Sequence, residues 1–206
     1  REFTYDLIKW VTGLPEQQLL THLSSLKDSE LLYERGIYPQ TSYIFRHALT
    51  REVVYDSILT KKKKKLHQEI GKAIEELSKD NPEEHYGILA EHFIAGENYE
   101  KGAKYARLAG KKAEKTVSLN DAIAYTKKAV GALEKLPQTE DVLKKIIDAR
   151  TGLALYMFQL FYFGEAKEAV KPIIEIALAS GYKRRIAQIH TILGTYSLYV
   201  EEDFPK

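Results

Sequence analysis

Residues 153–173, LALYMFQLFYFGEAKEAVKPI, carry the pattern that decides the fold. Leu153, Ala154 and Met157 fall on one face of a helix, and Ala166, Val170 and Ile173 fall on one face of a second. A joint of only a few residues between Phe161 and Gly164 forces the two helices to run antiparallel, as a hairpin. Small side chains at Ala154 and Ala166 let the helices cross closely, and larger neighbours fill the gap beside them. The arrangement recurs along the chain. Leu193-Gly194 restarts it 40 residues after Leu153-Ala154, and Ala122 with Ala129 marks it 44 residues before Ala166. Leu89-Ala90 with Phe93, Gly102, Ala106 and Ala109 is a looser copy.

Small residues at a helix crossing, repeated in phase, are the mark of tetratricopeptide-type hairpins, whose strict period is about 34 residues. The wider spacings here predict degenerate repeats or longer helices. Working outward, Leu66, Ile70, Ile74 and Leu77 form a helical stripe stopped at Asn81-Pro82, and Ile88, Leu89, Phe93 and Ile94 form another, stopped at Gly96. Further helices are expected over 99–117, from an N-cap at Ser118 to Leu136-Pro137, from Thr139 to Phe161, over 164–179, and over 184–199. The expectation for 61–206 is a right-handed superhelix of helical hairpins. Its last helix is left without a partner, as in an array cut in mid-repeat.

Residues 1–60 have a different texture. Phe3, Leu7, Ile8 and Val11 are spaced as a helix ending at Gly13, and Leu19, Leu20, Leu23 and Leu26 as a second, entered through Pro15. Two β-branched and aromatic runs, 31–38 and 43–47, flank Pro39-Gln40-Thr41-Ser42 and predict a short hairpin. A helix from about Thr50 should then turn Val53, Val54, Ile58 and Leu59 inward. Helix, helix and hairpin in that order are the C-terminal part of a winged-helix-like module. The fold class expected is therefore all-α, with this segment followed by helical repeats.

Composition narrows the function. Hydrophobic residues at 44% and charged residues at 29% argue for a globular chain, and a net charge of +2 demands no polyanionic partner. There is no cysteine, which excludes disulfides and thiolate metal sites and fits a reducing, cytoplasmic setting. No apolar run reaches the roughly 20 residues of a membrane span. The chain opens on Arg1, and its only methionine is Met157, so it is expected to be a piece of a longer protein.

Five stretches together resemble a known family: Tyr43-Ile44-Phe45-Arg46-His47-Ala48-Leu49, Arg51-Glu52-Val53-Val54-Tyr55, Leu66-His67-Gln68-Glu69-Ile70-Gly71, Leu89-Ala90-Glu91-His92-Phe93 and Tyr105-Ala106-Arg107-Leu108-Ala109-Gly110. The succession, closest over 1–135, resembles the region after the nucleotide-binding core in bacterial signal-transduction ATPases with numerous domains, the STAND class. In that class a P-loop ATPase precedes a winged helix and a superhelix of repeats, often fused to a class III nucleotidyl cyclase, a kinase or a DNA-binding effector. The resemblance implies ATP or ADP as the ligand of an ATPase domain, and a partner or regulatory ligand on the repeats. This chain holds no Gly-x-x-x-x-Gly-Lys-[Ser/Thr], so it carries no nucleotide cofactor site of its own. The resemblance also implies one site residue. His47 stands where related ATPases place a histidine that reaches the nucleotide's terminal phosphate, although Ala48 replaces the acidic residue usual after it.

Other features have plain readings beside functional ones. His47 also fits a core hydrogen bond at the end of a hairpin. Lys61–Lys65 reads as a solvated junction more readily than as a nucleic-acid patch. Lys104, Arg107, Lys111 and Lys115 share one helical face and are candidates for partner binding, and residues 101–128 are basic where 74–100 are acidic, so neighbouring hairpins should attract. Tyr156 heads the aromatic run 156–163, a candidate peptide anchor whose plainer role is core packing. His85 and His92 stand seven apart, too far for one metal, and no residue set suggests catalysis. A winged-helix nucleic-acid binder is the rival reading. Against it, the helix 16–27 offers His22 and Lys27 but no arginine.

Overall fold

The computed structural model describes residues 2–37 and 40–201; of the turn expected at Pro39-Gln40-Thr41-Ser42, Pro39 lies outside them, and the other three residues belong to a strand. The chain is mostly helical with little strand. It divides into two compact units, Arg1–Pro82 with Ala95–Glu97, and Glu83–Ile94 with Asn98–Lys206, so the boundary expected at 60/61 falls inside the first unit.

The first unit holds a three-stranded antiparallel sheet of β1 (Glu2–Thr4), β2 (Leu32–Ile37) and β3 (Gln40–Phe45), with β3 central. Glu2 lies opposite Ile44, and Leu32 opposite Phe45. β1 corrects the sequence reading, which put Phe3 in a helix. The Thr4 hydroxyl accepts from the Leu7 N–H at 3.3 Å and so starts the helix at Tyr5. Phe3 is left in the strand, its ring stacked on Tyr43 at 5.7 Å. Helix α1 (Tyr5–Thr12) ends at left-handed Gly13, and α2 (Glu16–Asp28) buries Leu19 and Leu23 with Tyr5, Leu32 and Tyr43. Leu26, expected in that stripe, is exposed.

Helix α3 (Ala48–Ser57) meets the end of β3 and buries nothing. Val53 is 62% exposed and Leu59 77%, with Val54 also open to solvent, where the spacing predicted an inward face. Only Ile58 is half-buried, as an extended residue past the helix end. Helix α4 (Thr60–Leu77) packs against α1 and buries Gly71, Ala73 and Ile74, while Leu77 is exposed. The lysine run forms its first turns. Lys63 faces Asp56, Lys64 faces Glu97 at 2.8 Å and Lys65 faces Glu69, as the solvated-junction reading requires.

In the second unit α5 (Tyr86–Ala95), α6 (Tyr99–Lys115), α7 (Leu119–Leu133), α8 (Glu140–Gln159), α9 (Phe163–Val170), α10 (Ile174–Ala179) and α11 (Lys183–Tyr199) follow one another through short joints. The helix expected over 164–179 is broken. Pro172 has no N–H to give, and a 3-10 turn at Lys171–Ile173 separates α9 from α10. α6 packs on α7, α7 on α8, α8 on α9, and α11 on both α8 and α9.

Ala122, Ala154 and Ala166 are fully buried, and Ala129 nearly so. A Cβ on Gly110 would come 3.1 Å from Thr126 Oγ1, and one on Gly102 would come 2.6 Å from Ile94 Cγ1. These are the close crossings anticipated, with Gly110 an addition. A Cβ on Gly194 would meet nothing within 4 Å, so the restart expected at Leu193-Gly194 is no crossing among the described residues. Four of the joints share one geometry as well. Glu97, Val117, Phe161 and Gly181 all adopt φ near +60°, and the next N–H, of Asn98, Ser118, Tyr162 or Tyr182, bonds back to the carbonyl of Phe93, Ala113, Met157 or Ala177.

Enlarging Ala122 or Ala166 to Leu overpacks a crossing and should cost about 1–3 kcal/mol in urea unfolding. Val117→Gly should do the reverse. Its side chain is 80% exposed and its backbone left-handed, so relief of strain less the added chain entropy should gain about 0.5–1 kcal/mol. Alanine variants that melt with the parent would disprove the crossings.

Candidate interaction surface

His47 follows β3 and occupies the N-cap position of α3 without capping it. It is exposed, and among the described residues its ring has no hydrogen bond or ion pair. The core-hydrogen-bond reading therefore fails. Its neighbour Arg46 is the structural residue: the guanidinium pairs with Glu30 at 2.7 Å and lies 5.2 Å from the Tyr33 ring centre.

The basic row lies on α6. Gly102, Ala103, Ala106, Ala109, Gly110 and Ala113 fill its buried sides with small residues, which leaves Lys104, Arg107, Lys111 and Lys115 exposed along about 16 Å of axis. None of the four forms an ion pair among the described residues; Lys104 only approaches the Tyr105 ring, at 5.2 Å. Two acids of this region make hydrogen bonds to neutral groups. Glu114 accepts the Tyr156 phenol at 2.9 Å, and Asp121 accepts the Ser118 hydroxyl at 2.6 Å. The expected attraction between hairpins is present, carried by other lysines. Lys128 pairs with Glu91 at 2.9 Å, and Lys112 donates to the Glu83 carbonyl at 3.1 Å.

Tyr156 is half-buried and ties α8 to α6, so it joins two walls where a free peptide anchor was one expectation. Burial, and then its bond to Glu114, push the phenol well above the usual tyrosine range. The rest of the aromatic run is divided. Met157 is buried, but Phe161 is 78% exposed at a left-handed φ, and Phe163 stacks on Tyr199 at 5.7 Å. An open groove of about 530 Å³ lies between α7, α8, α9 and α11, lined by Lys127 and Lys167; Lys167 bonds Glu201 at 2.9 Å and sits 3.9 Å over Tyr196.

No group of three metal-ligating side chains occurs among the described residues, and none of their helices is long and apolar enough to cross a membrane. In comparisons with known proteins, no family model, curated protein or solved structure matches the chain.

Tyr156 sets a pH dependence. Its folded pKa lies above the unfolded value of about 10, so its contribution is intact below pH 10 and is lost as pH rises past it, when the unfolded phenol ionises first. Urea midpoints measured from pH 9 to 11.5 should fall more steeply for the parent than for Tyr156→Phe. Parallel profiles would mean that the phenol is solvated.

Proposed function

We propose that this chain is the regulatory and interaction region of a multidomain signal-transduction ATPase of the STAND class. In this reading residues 1–60 are the end of a winged-helix-like module and the later helices a superhelix of degenerate tetratricopeptide repeats. It is non-catalytic and cytoplasmic, and its repeats bind a protein partner or regulatory ligand. The observation that carries the proposal is His47. An exposed imidazole with no partner of its own leaves the last strand of a β-α-α-β-β unit, as a group does whose ligand comes from elsewhere. The recurring joints and close crossings support the repeat reading.

The mechanism is a shift of population. A partner on the repeats favours one arrangement of the ATPase, and the imidazole, as a donor to a phosphate oxygen of ATP or ADP, favours the other. Ala48, in place of an acid, leaves the histidine as the one element of that switch carried over. The nucleic-acid alternative is disfavoured by the surface of α2. Lys9 is paired with Glu16 and Lys27 with Glu34, and its exposed side, with Gln17, Gln18, Thr21 and His22, has no free cation beyond histidine.

In the full-length ATPase, His47→Ala should speed ADP release by about tenfold to a hundredfold, the equivalent of one charge-assisted hydrogen bond of about 1.5–3 kcal/mol. Fold stability should stay unchanged. An unaltered ADP off-rate in a folded variant would remove the phosphate-sensing role.

A further inference from the structure

We infer that the row Lys104, Arg107, Lys111 and Lys115 on α6 docks an extended acidic segment of a protein partner. The inference rests on the interaction reading above and names the partner's chemistry.

The first argument is an uncompensated cost. Arg107 with Lys111, and Lys111 with Lys115, are like charges one helical turn apart, an arrangement that destabilises a helix. On α8, by contrast, the cations are paired. Lys144 and Lys145, for instance, each pair with an acid four residues earlier, Glu140 at 2.8 Å and Asp141 at 2.6 Å. On α6 only Lys104 has an acid four residues earlier, Glu100, and the two form no ion pair; the residues four before Arg107, Lys111 and Lys115 are Ala103, Arg107 and Lys111. The fold thus keeps four exposed cations in line with no ion pair to any of them among the described residues. A row that served only solubility would gain nothing from this.

The second argument is spacing. Steps of three, four and four residues along a helix place successive charges about 4.5–6 Å apart. Alternate side chains of an extended peptide repeat about every 6.6–6.8 Å on one side. A segment with Glu or Asp at every second position can therefore give each of the four cations a carboxylate over about seven residues, the long lysine and arginine side chains taking up the difference in step. The row is a single side chain wide. Glu100 stands at its head and Glu114 within it, the Tyr105 ring that Lys104 approaches is buried, and the Tyr156 hydroxyl is engaged. Nucleic acid asks for a broader positive field and open rings on which bases stack, so the observations favour a peptide.

The test uses the 206-residue chain and a fluorescein-labelled peptide of alternating Glu and Ser, about twelve residues long. Fluorescence anisotropy should show saturable binding that weakens as salt rises. Arg107→Glu with Lys111→Glu should weaken it by about tenfold or more, and the pair Arg107→Gln with Lys111→Gln, kinder to the fold, by an intermediate factor. Reversing Lys144 and Lys145 should leave it unchanged. Absence of saturable binding, or an equal loss in the Lys144/Lys145 variant, would overturn the inference. So would an oligothymidylate that displaces the labelled peptide better than unlabelled peptide does, since the row would then be a nucleic-acid surface. The two proposals fail separately. His47→Ala should not affect peptide binding, and the α6 variants carry no expectation for ADP release.

Discussion

One backbone hydrogen bond, made at each of four helix joints, sets the geometry on which the second unit depends. The N–H groups of Asn98, Ser118, Tyr162 and Tyr182 reach back to the carbonyls of Phe93, Ala113, Met157 and Ala177 at 2.8, 2.9, 2.9 and 3.4 Å. Each requires the preceding residue to be left-handed, and only the last joint supplies a glycine there. Glu97, Val117 and Phe161 bear the conformational cost because the bond closes the helix end and fixes where the next helix begins. The close crossings follow from it. At three joints a small residue stands seven positions before the left-handed residue and another five after it: Ala90 and Gly102 about 97, Gly110 and Ala122 about 117, Ala154 and Ala166 about 161. Identical joints bring identical levels of adjacent helices together, and only a side chain no larger than a methyl fits between them. At the fourth joint the equivalent positions are Ile174 and Ile186, so that pair of helices cannot approach as closely.

Charge distribution is a consequence of the same packing. A helix that uses small residues on its buried sides has its remaining face free for long charged ones. α6 shows this most clearly, since Gly102, Ala106 and Gly110 alternate with Lys104, Arg107 and Lys111. The phenol of Tyr156 and the carboxylate of Glu114 then join α8 to α6 beside that charged face. In the first unit the balance is the opposite. Lys9, Lys27, Lys63 and Lys64 are all paired, whereas His47 and the apolar side of α3 are left without a cover among the described residues.

How much of this was legible in the sequence depended on the signal each feature writes. Ala122, Ala154 and Ala166 were found because small residues in phase are visible in a single chain. Gly110 was missed beside Ala109, since a helix of many small residues does not say which one lies at the crossing. The joints were invisible because Glu, Val and Phe stand where glycine is the usual marker. β1 is three residues long, too short for any alternation, and its Phe3 also fits the spacing of the helix that follows. The inward face predicted for α3 was a true apolar pattern, and periodicity cannot tell whether anything packs against it. At the candidate site, position was readable and partnership was not. The face shared by Lys104, Arg107, Lys111 and Lys115 followed from spacing, but their lack of counter-ions, and that of His47, depends on residues distant in sequence.

Amide hydrogen exchange at the joints tests the central claim most directly. If the shared turn organises the helices, the amides of Asn98, Ser118, Tyr162 and Tyr182, which lie at joints between helices, should exchange about a hundredfold or more slowly than unstructured peptide, close to their helical neighbours. Val117→Gly should leave that protection at Ser118 intact. Free exchange at Asn98, Ser118 and Tyr162 while the helix interiors stay protected would contradict the account, because the joints would then be loose connections and the close crossings would need another cause.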